Sequence, residues 1–412
     1  MQKYDVIIIG GGAAGMCAAI NIKMRDRSIS VAILEQLSRV GKKLITTGNG
    51  RCNISNMQIS LDRYHGENIN FAEYALTNFD NYYAADFFSE IGVMFTYDEK
   101  CRAYPYSLQA SSVVDALRFA IDEYGVDIFI DTTVKSYLKQ KNQFVINTNN
   151  GDFIADNLII ATGLYSGGQK LGSNGSMVEI LKKSGYKVVK TTPAIVQLKT
   201  DTGVVKGLKG IKVNADATLI INGNAVRSDF GEVLFCDYGL SGPPIMQISR
   251  EVERVKGDKF IILDLMPEYS FANICDMLQF RVSALYTRNL DEFLSGMLNK
   301  RVGQAVLKLC GLKLSESVSG LEASDIKQIA SVIKGMKFKV VGTTGFDNSQ
   351  VTAGGLDTNQ FNNQTMMSKR ERGLYCIGEI LDIDGDCGGF NLQWAWSSAI
   401  CAANSICNDF GV

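Results

Sequence analysis

Histidine is almost missing from this chain of 412 residues: His65 is the only one. A histidine-rich metal centre or a serine–histidine triad is therefore nearly excluded. His65 stands in the polar run Tyr64-His65-Gly66-Glu67-Asn68 and reads as a loop residue. The ten cysteines lack metal-type spacing, so no metal site is expected, and they read as reduced thiols of a cytoplasmic protein. Charge of one sign is lacking too. Lys and Arg number 42 against 43 Asp and Glu, a net charge of −1 with no basic block to suit nucleic acid or an anionic membrane. No apolar stretch approaches the roughly 20 residues of a membrane span. The run at 6–9 is too short for a signal peptide, follows Asp5 and has no cleavage region after it. The expected partner is a small-molecule substrate, with neither nucleic acid nor membrane; the number of subunits is left open.

Glycine is present in force, and in a telling place. Val6-Ile7-Ile8-Ile9 gives the continuous apolar run of a buried parallel strand. Gly10-Gly11-Gly12-Ala13-Ala14-Gly15 follows, then a helical run, and Glu35 comes twenty residues after Gly15 at the end of a second strand, 30–34. Gly10 allows the tight turn, Gly12 lets backbone amides approach a pyrophosphate, and Gly15 lets the helix pack on the sheet. Ala13 and Ala14 open the helix, whose free N–H groups and dipole suit phosphate. The Glu35 carboxylate can accept from a ribose 2′-OH, which disfavours a 2′-phosphate in this site. Gln36 beside it, and Val134 on a strand expected at 133–138, complete the nucleotide end of the predicted set.

The remaining pattern is α/β. Strands and helices alternate to about residue 193. Short alternating strands with hairpin turns then read as an antiparallel sheet or small barrel over 194–269. A helical stretch fills 270–340, and 341–412 resembles the first part again, with a buried strand at 374–377 and a final helix. The expected organisation is one dinucleotide-binding Rossmann domain, 1–193 plus 341–412, interrupted by the barrel and the helices.

Three segments select the dinucleotide. Ala161-Thr162-Gly163 at the end of an apolar strand leaves small residues where a cofactor passes. Gly378-Glu379, with acids following, suits a sugar chain and diphosphate, and Asp386 belongs to the same stretch. Gly388-Gly389-Phe390-Asn391-Leu392 leads into the last helix, whose start could stabilise negative charge on a reduced flavin. This layout predicts FAD rather than NAD alone. A further glycine-rich stretch, Gly41 to Asn56, adds Lys42 and Lys43 for phosphate, Gly48 and Gly50 for close backbone approach to a flat ring, and Arg51, Cys52 and Asn53 as contacts to the flavin or its diphosphate. No second G-x-G-x-x-G follows a strand, so no built-in NAD(P)H domain is visible. NADH or NADPH docks transiently, or the substrate is the reductant and oxygen the acceptor.

The motifs Val40-Gly41-Lys42-Lys43-Leu44, Gly48-Asn49-Gly50-Arg51-Cys52-Asn53-Ile54-Ser55-Asn56, Phe235-Cys236-Asp237-Tyr238-Gly239-Leu240-Ser241-Gly242-Pro243, Val351-Thr352-Ala353-Gly354-Gly355 and Gly388-Gly389-Phe390-Asn391-Leu392-Gln393 spread over nearly the whole chain. Through them the sequence resembles the bacterial flavoprotein family that contains aminoacetone oxidase and the 3-dehydro-bile-acid reductases. The resemblance implies an FAD domain of glutathione-reductase type, an inserted β-barrel and a helical domain. It departs at Cys236-Asp237, where many members of the family carry Thr-His.

The resemblance favours NAD(P)H-linked reduction of an activated C=C bond by hydride transfer through flavin N5. The alternatives are amine oxidation by O2 and a flavin-binding redox sensor with little turnover. A flavin-dependent RNA-modifying enzyme is disfavoured by the charge balance. With histidine effectively absent, Tyr165, Tyr238 and Arg51 are the catalytic candidates, with Asp237 and Asp347 behind them. Cys52 has no cysteine within reach in sequence, so a redox-active disulfide is not expected. Pro243-Pro244 predicts a helix start with Ser241 or Gly242 near the cap.

Overall fold

The apolar run near the amino terminus becomes the strand Gln2–Ile9, whose last four residues are buried. The structure, a computed structural model, describes residues 1–411. The sheet around this strand has seven members. Asp127–Phe129, Val31–Leu34, Gln2–Ile9, Asp152–Ile160, Gln143–Thr148 and Val134–Gln140 lie in that order, and Leu374–Cys376 also pairs with Asp152–Ile160. That long strand serves two neighbours on one side. Its start runs antiparallel to Gln143–Thr148, and its end runs parallel to Leu374–Cys376. Ile9 is in register with Ile160, and Ile160 with Cys376. Three parallel strands thus end side by side, at the edge where open α/β sheets bind ligands.

Two helices dominate this part. Ala13–Arg25 follows the first strand, and Phe390–Asp409 packs along it. The last helix is buried around nearly its whole circumference, which its run of Trp, Ala, Ser, Ile and Cys permits. Two helices, expected at 71–81 and 84–91, are found as Glu73–Asn78 and Asn81–Glu90. Asp80 accepts from the backbone N–H of Tyr82 and Tyr83, each at 3.0 Å, and starts a new helix there. His65 is not in a loop. It forms the short strand Tyr64–His65, opposite Asp384–Gly385.

The chain forms two compact units, residues 1–193 with 346 onward, and Ala194–Gly345. The second unit is a closed antiparallel barrel of six strands in the order Leu198–Thr200, Gly239–Ser241, Asn224–Phe235, Lys212–Ile221, Lys259–Asp264, Met336–Thr343. Along Lys212–Ile221, buried Ala215, Ala217, Leu219 and Ile221 alternate with more exposed residues, the period of a strand with one face inward. Asn222 (φ 51°) and Gly223 (φ 83°) both take positive φ, as a two-residue hairpin turn of type I′ requires. The helices Phe271–Leu285, Lys300–Leu309 and Ala323–Lys334 come between the fifth and sixth barrel strands. Met336–Thr343, on the far side of these helices in sequence, pairs with Lys259–Asp264 and Leu198–Thr200, because pairing rather than sequence order decides membership of a barrel. Within the stretch expected to be helical, Leu290–Phe293 is a short helix that stops ahead of Gly296 with φ 81°. Pro243 does begin a helix, Pro243–Ile248, capped by Gly242. Among the described residues no helix is long and apolar enough to cross a membrane, and no cluster of His, Cys, Asp and Glu could hold a metal ion.

Candidate functional site

The ends of the three parallel strands open onto small residues. Gly10 turns with φ 106°, and a Cβ there would stand 2.7 Å from the Ala161 carbonyl oxygen. A Cβ on Gly15 would come within 2.0 Å of the Gly10 carbonyl oxygen, so the helix can lie this close to the turn only with glycine at 15. Gly12 differs: a Cβ there would meet nothing nearer than 4.0 Å. It is the N-cap of Ala13–Arg25 and lends no side chain to the helix start, which also has no acid in its first turn. Ala14 packs against the position of Gly378, while Gly163 has open space beside it. The result is a cradle with an uncapped helix start on one side and backbone at Ala161, Thr162 and Gly163 on the other, the shape and polarity a diphosphate needs.

Glu35 is buried at the end of Val31–Leu34. Its Oε2 accepts from the N–H of Gly11 and its Oε1 from that of Leu37, both at 2.8 Å. The carboxylate thus fixes the glycine turn and keeps lone pairs over for a ribose. Burial pushes its pKa up, with the two amides and Lys42 opposing. Gln36 spends its side chain otherwise than expected. Its amide donates to the Gly172 carbonyl and accepts from Asn174 at 3.0 Å, tying down the 172–174 turn. Val134 is a buried residue at the start of its strand, opposite Thr148, so only its backbone is left to meet a ligand.

Lys43 is likewise committed. Its ammonium pairs with Glu379 Oε2 at 2.8 Å and donates to Ser166 Oγ. Glu379 Oε1 accepts from Ser166 Oγ at 2.6 Å and from Thr352 N–H at 3.3 Å. Lys43, expected with Lys42 as the alternative to neutralise phosphate, stands in this half-buried pair, which links residues 336 positions apart. Lys42 is only part-buried and its charge is felt at Glu35.

The 44–51 segment is a distorted 3-10 turn. Gly48, Asn49, Gly50 and Cys52 all take positive φ, between 55° and 81°. Asn49 and Cys52 are non-glycine residues in that region, a strain that clusters at ligand sites. Cys52 is wholly buried, with its N–H on Thr47 O, and burial pushes its thiol up to about 12. It contributes backbone shape rather than a reactive thiolate. Gly48 lies against Asn53, whose Oδ1 is buried without a hydrogen-bond partner. Arg51 is exposed, and its guanidinium stands 5.2 Å over the ring of Tyr104.

At the start of the last helix, Gly389 (φ 105°) could not carry a Cβ, which would stand 2.2 Å from Ser55 O. Asn56 donates to Gly388 O at 2.9 Å. Asn391 and Asp386, both expected at the cofactor, make contacts within the fold. Asn391 accepts from Gly385 N–H and donates to Gly385 O, both at 2.8 Å, closing its own loop. Asp386 accepts from His65 Nε2 at 2.8 Å and lies 3.6 Å from Arg63, so it anchors the Tyr64–His65 strand. Gln393, absent from the predicted set, is fully buried. It donates to Phe79 O and Ser397 Oγ and accepts from Ser55 Oγ. Leu392 packs on the core from a half-buried position, which leaves the early N–H groups of the helix to face a ligand.

The acid–base candidates separate. Tyr165 is a packing residue: its ring lies on Phe346, centroids 5.2 Å apart, and it fills the space beside Gly175. Its N–H donates to Thr352 Oγ1. Asp347 sits against Gly168. Tyr238 belongs to the barrel unit. Burial raises its hydroxyl most, followed by a hydrogen bond to Cys236. Asp237 is exposed and paired with Lys209 at 2.7 Å. Arg51 alone of these stands by the glycine-rich loop, and beside it are two residues with no sequence motif to announce them, Arg102 and Tyr104.

The open face at Gly12, the uncapped helix start and the partnerless Asn53 Oδ1 together fit an FAD laid across the strand ends. A family model described as HI0933-like protein Rossmann domain matches residues 4–405. A 3-dehydro-bile acid delta(4,6)-reductase of Clostridium scindens is 33% identical over 401 residues, which covers 97% of this chain and 98% of the relative. A ribosomal RNA dihydrouridine synthase of Haemophilus influenzae is 29% identical over 415 residues, 98% of this chain and 99% of the relative. Among solved structures, a 3-ketosteroid-delta4-(5alpha)-dehydrogenase from Rhodococcus jostii RHA1 superposes with a TM-score of 0.50 at 14% identity, over 98% of this chain and 97% of that one. That last likeness is one of fold.

Proposed function

The chain belongs to the HI0933-like family, and on that premise we propose that it adds hydrogen across an activated C=C bond of a small or medium-sized organic molecule, with NADH or NADPH as a transient electron donor. It is an FAD-dependent oxidoreductase. The observation that carries the finer reading is the relative from Clostridium scindens, named for reduction at C=C bonds and alike over 97% of this chain.

FAD, when bound, supplies the hydride chemistry. The protein's part is to bind, orient and polarise. The Gly12 cradle and the start of Ala13–Arg25 take the diphosphate, and Glu35 takes the ribose. The start of Phe390–Asp409 favours negative charge on the ring edge. Among the described residues Arg51 has no carboxylate partner, so it is available to donate to a carbonyl oxygen conjugated with the double bond.

An anaerobic and aerobic pair of stopped-flow runs tests this. Fast bleaching of the flavin by NADH or NADPH, slow reoxidation in air and fast reoxidation by an enone are expected. Bleaching only by amines, with peroxide release, would overturn the reading in favour of an amine oxidase.

The relative from Haemophilus influenzae supports a second reading with the same bond chemistry, in which the double bond belongs to a uridine of ribosomal RNA. A net charge of −1 weighs against it. Salt-sensitive retention of ribosomal RNA, with formation of dihydrouridine in it, would establish that reading over the small-molecule one.

A further inference from the structure

A small sheet in the nucleotide-binding unit has three strands, Ser55–Asn56, Arg102–Pro105 and Phe95–Tyr97 in that order, so Phe95–Tyr97 is an edge. It runs antiparallel to Arg102–Pro105, with Thr96 in register with Tyr104. Met94 O accepts from Tyr106 N–H at 2.7 Å, and Asp98 N–H donates to Arg102 O at 3.2 Å. Residues 94, 96 and 98 thus bond inward, and Phe95 and Tyr97 direct their N–H and C=O groups away from the sheet. Among the described residues no strand takes them up. The edge also lacks the usual guards, since Val93-Met94-Phe95-Thr96-Tyr97 holds no charge and no proline. Large side chains stand exposed around it: Tyr97 at 46%, Met94 at 72%, Tyr106 at 70%, Leu108 at 46% and Tyr82 at 65%. They adjoin one another. Tyr106 meets Met94 through the bond above, and Leu108 N–H donates to Pro105 O at 2.8 Å. Burial and then the neighbouring Tyr82 raise the Tyr97 hydroxyl.

We propose that this edge is a dimer interface, at which two copies of the chain join their sheets through Phe95–Tyr97, antiparallel about a two-fold axis at Thr96. A two-fold contact needs a surface that complements itself, and this register supplies one. Phe95 falls opposite Tyr97 of the second copy and Tyr97 opposite its Phe95, and each pair exchanges both of its N–H···O bonds. Aromatic rings then meet across the ladder and Thr96 meets Thr96, both favourable cross-strand pairs. The area agrees. At about 200 Å² for a side chain of this size, the five exposed side chains offer roughly 600 Å² per copy. Two copies together reach about 1,200 Å², the lower end of what a stable interface buries. A monomer rarely leaves so large an apolar patch in water. The joined sheet doubles in width. Its Ser55–Asn56 strands carry the Asn56 that holds Gly388 ahead of the last helix, so association braces that loop in both copies.

Sedimentation equilibrium on the FAD holoenzyme tests this, and none of its outcomes depends on the C=C reading. Wild type should weigh twice the chain's 45.1 kDa. Tyr97→Pro removes an outward N–H and leaves the inward bonds of residue 96 alone, as an edge position tolerates. It is expected at 45.1 kDa with native circular dichroism and FAD content. Tyr97→Lys, which keeps the N–H and places a charge on the edge, should be monomeric over the same concentrations. Thr96→Cys treated with diamide should give a dimer whose disulfide maps to residue 96 in both chains, since the axis sets these two Cα atoms about 4.5 Å apart. A wild type of 45.1 kDa up to its solubility limit overturns the proposal. So does a dimer that both Tyr97 variants leave intact, or one that Thr96→Cys does not cross-link, because the contact then lies elsewhere. Should Tyr97→Pro unfold, the mass of Tyr97→Lys and the Thr96→Cys link decide by the same criteria.

Discussion

In the nucleotide-binding unit the helices that begin at Gly12 and at Gly389, neither with a side-chain cap, are built in opposite ways. Around Gly12 the neighbours are small and mostly apolar, the constraints are backbone against backbone, and the space ahead of the helix is open. Around Gly389 every nearby polar side chain is engaged: Asn391 with Gly385, Gln393 with Ser55, Phe79 and Ser397, Asn56 with Gly388. The first start is shaped by what is absent and suits a diphosphate. The second is shaped by contacts that fix a loop, and its contribution to a ligand is a rigid edge. Similar glycines thus serve vacancy in one place and close packing in the other.

Three substitutions would break or sharpen that contrast. Gly12→Val, which fills the open side, is expected to weaken FAD binding at least about a hundredfold, on the order of 3 kcal/mol, while the far-ultraviolet circular dichroism stays native. A yellow, stable Gly12→Val protein would refute the cradle. Gly389→Ala should act on stability instead. Positive φ alone costs about 1–3 kcal/mol, and the contact with Ser55 O adds to it. Chemical denaturation of the apo-protein reads this, and an unchanged midpoint would contradict the close-packed description. Asn391→Ala removes the closure of the Gly385 loop, for an expected loss of about 1–2 kcal/mol. FAD content should be retained, and its loss would restore Asn391 to the cofactor set.

The first of these helix starts was legible in the sequence, because its logic is local. Glycine spacing, an apolar strand before it and an acid at the end of the next strand all fall within 35 residues. Several side chains expected at the cofactor have partners in the fold that their motifs do not show. Gln36 turned to Gly172, Lys43 to Glu379 and Asp386 to His65, each across more than a hundred positions. A motif shows that a polar residue stands near a site, but which partner it meets depends on elements brought together by packing. Tyr165 followed the Ala161-Thr162-Gly163 segment in sequence, yet its ring turned to Phe346 and the gap beside Gly175. Tyr104 shows the converse, since nothing between Arg102 and Pro105 marks it.

By itself the sequence determined the sheet order's starting point, the glycine turn with its open helix start and the barrel's alternating strands, since turn stereochemistry and the periods of apolar residues act over a few positions. The tertiary structure alone decided which charged and polar side chains are spent on the fold and which are left over. Burial makes an unpaired polar group costly, so nearly all of them find partners. Among the described residues, two that do not, Asn53 Oδ1 and the Tyr104 hydroxyl, emerge only once the 48–53 turn, the Arg102–Pro105 strand and the last helix have come together.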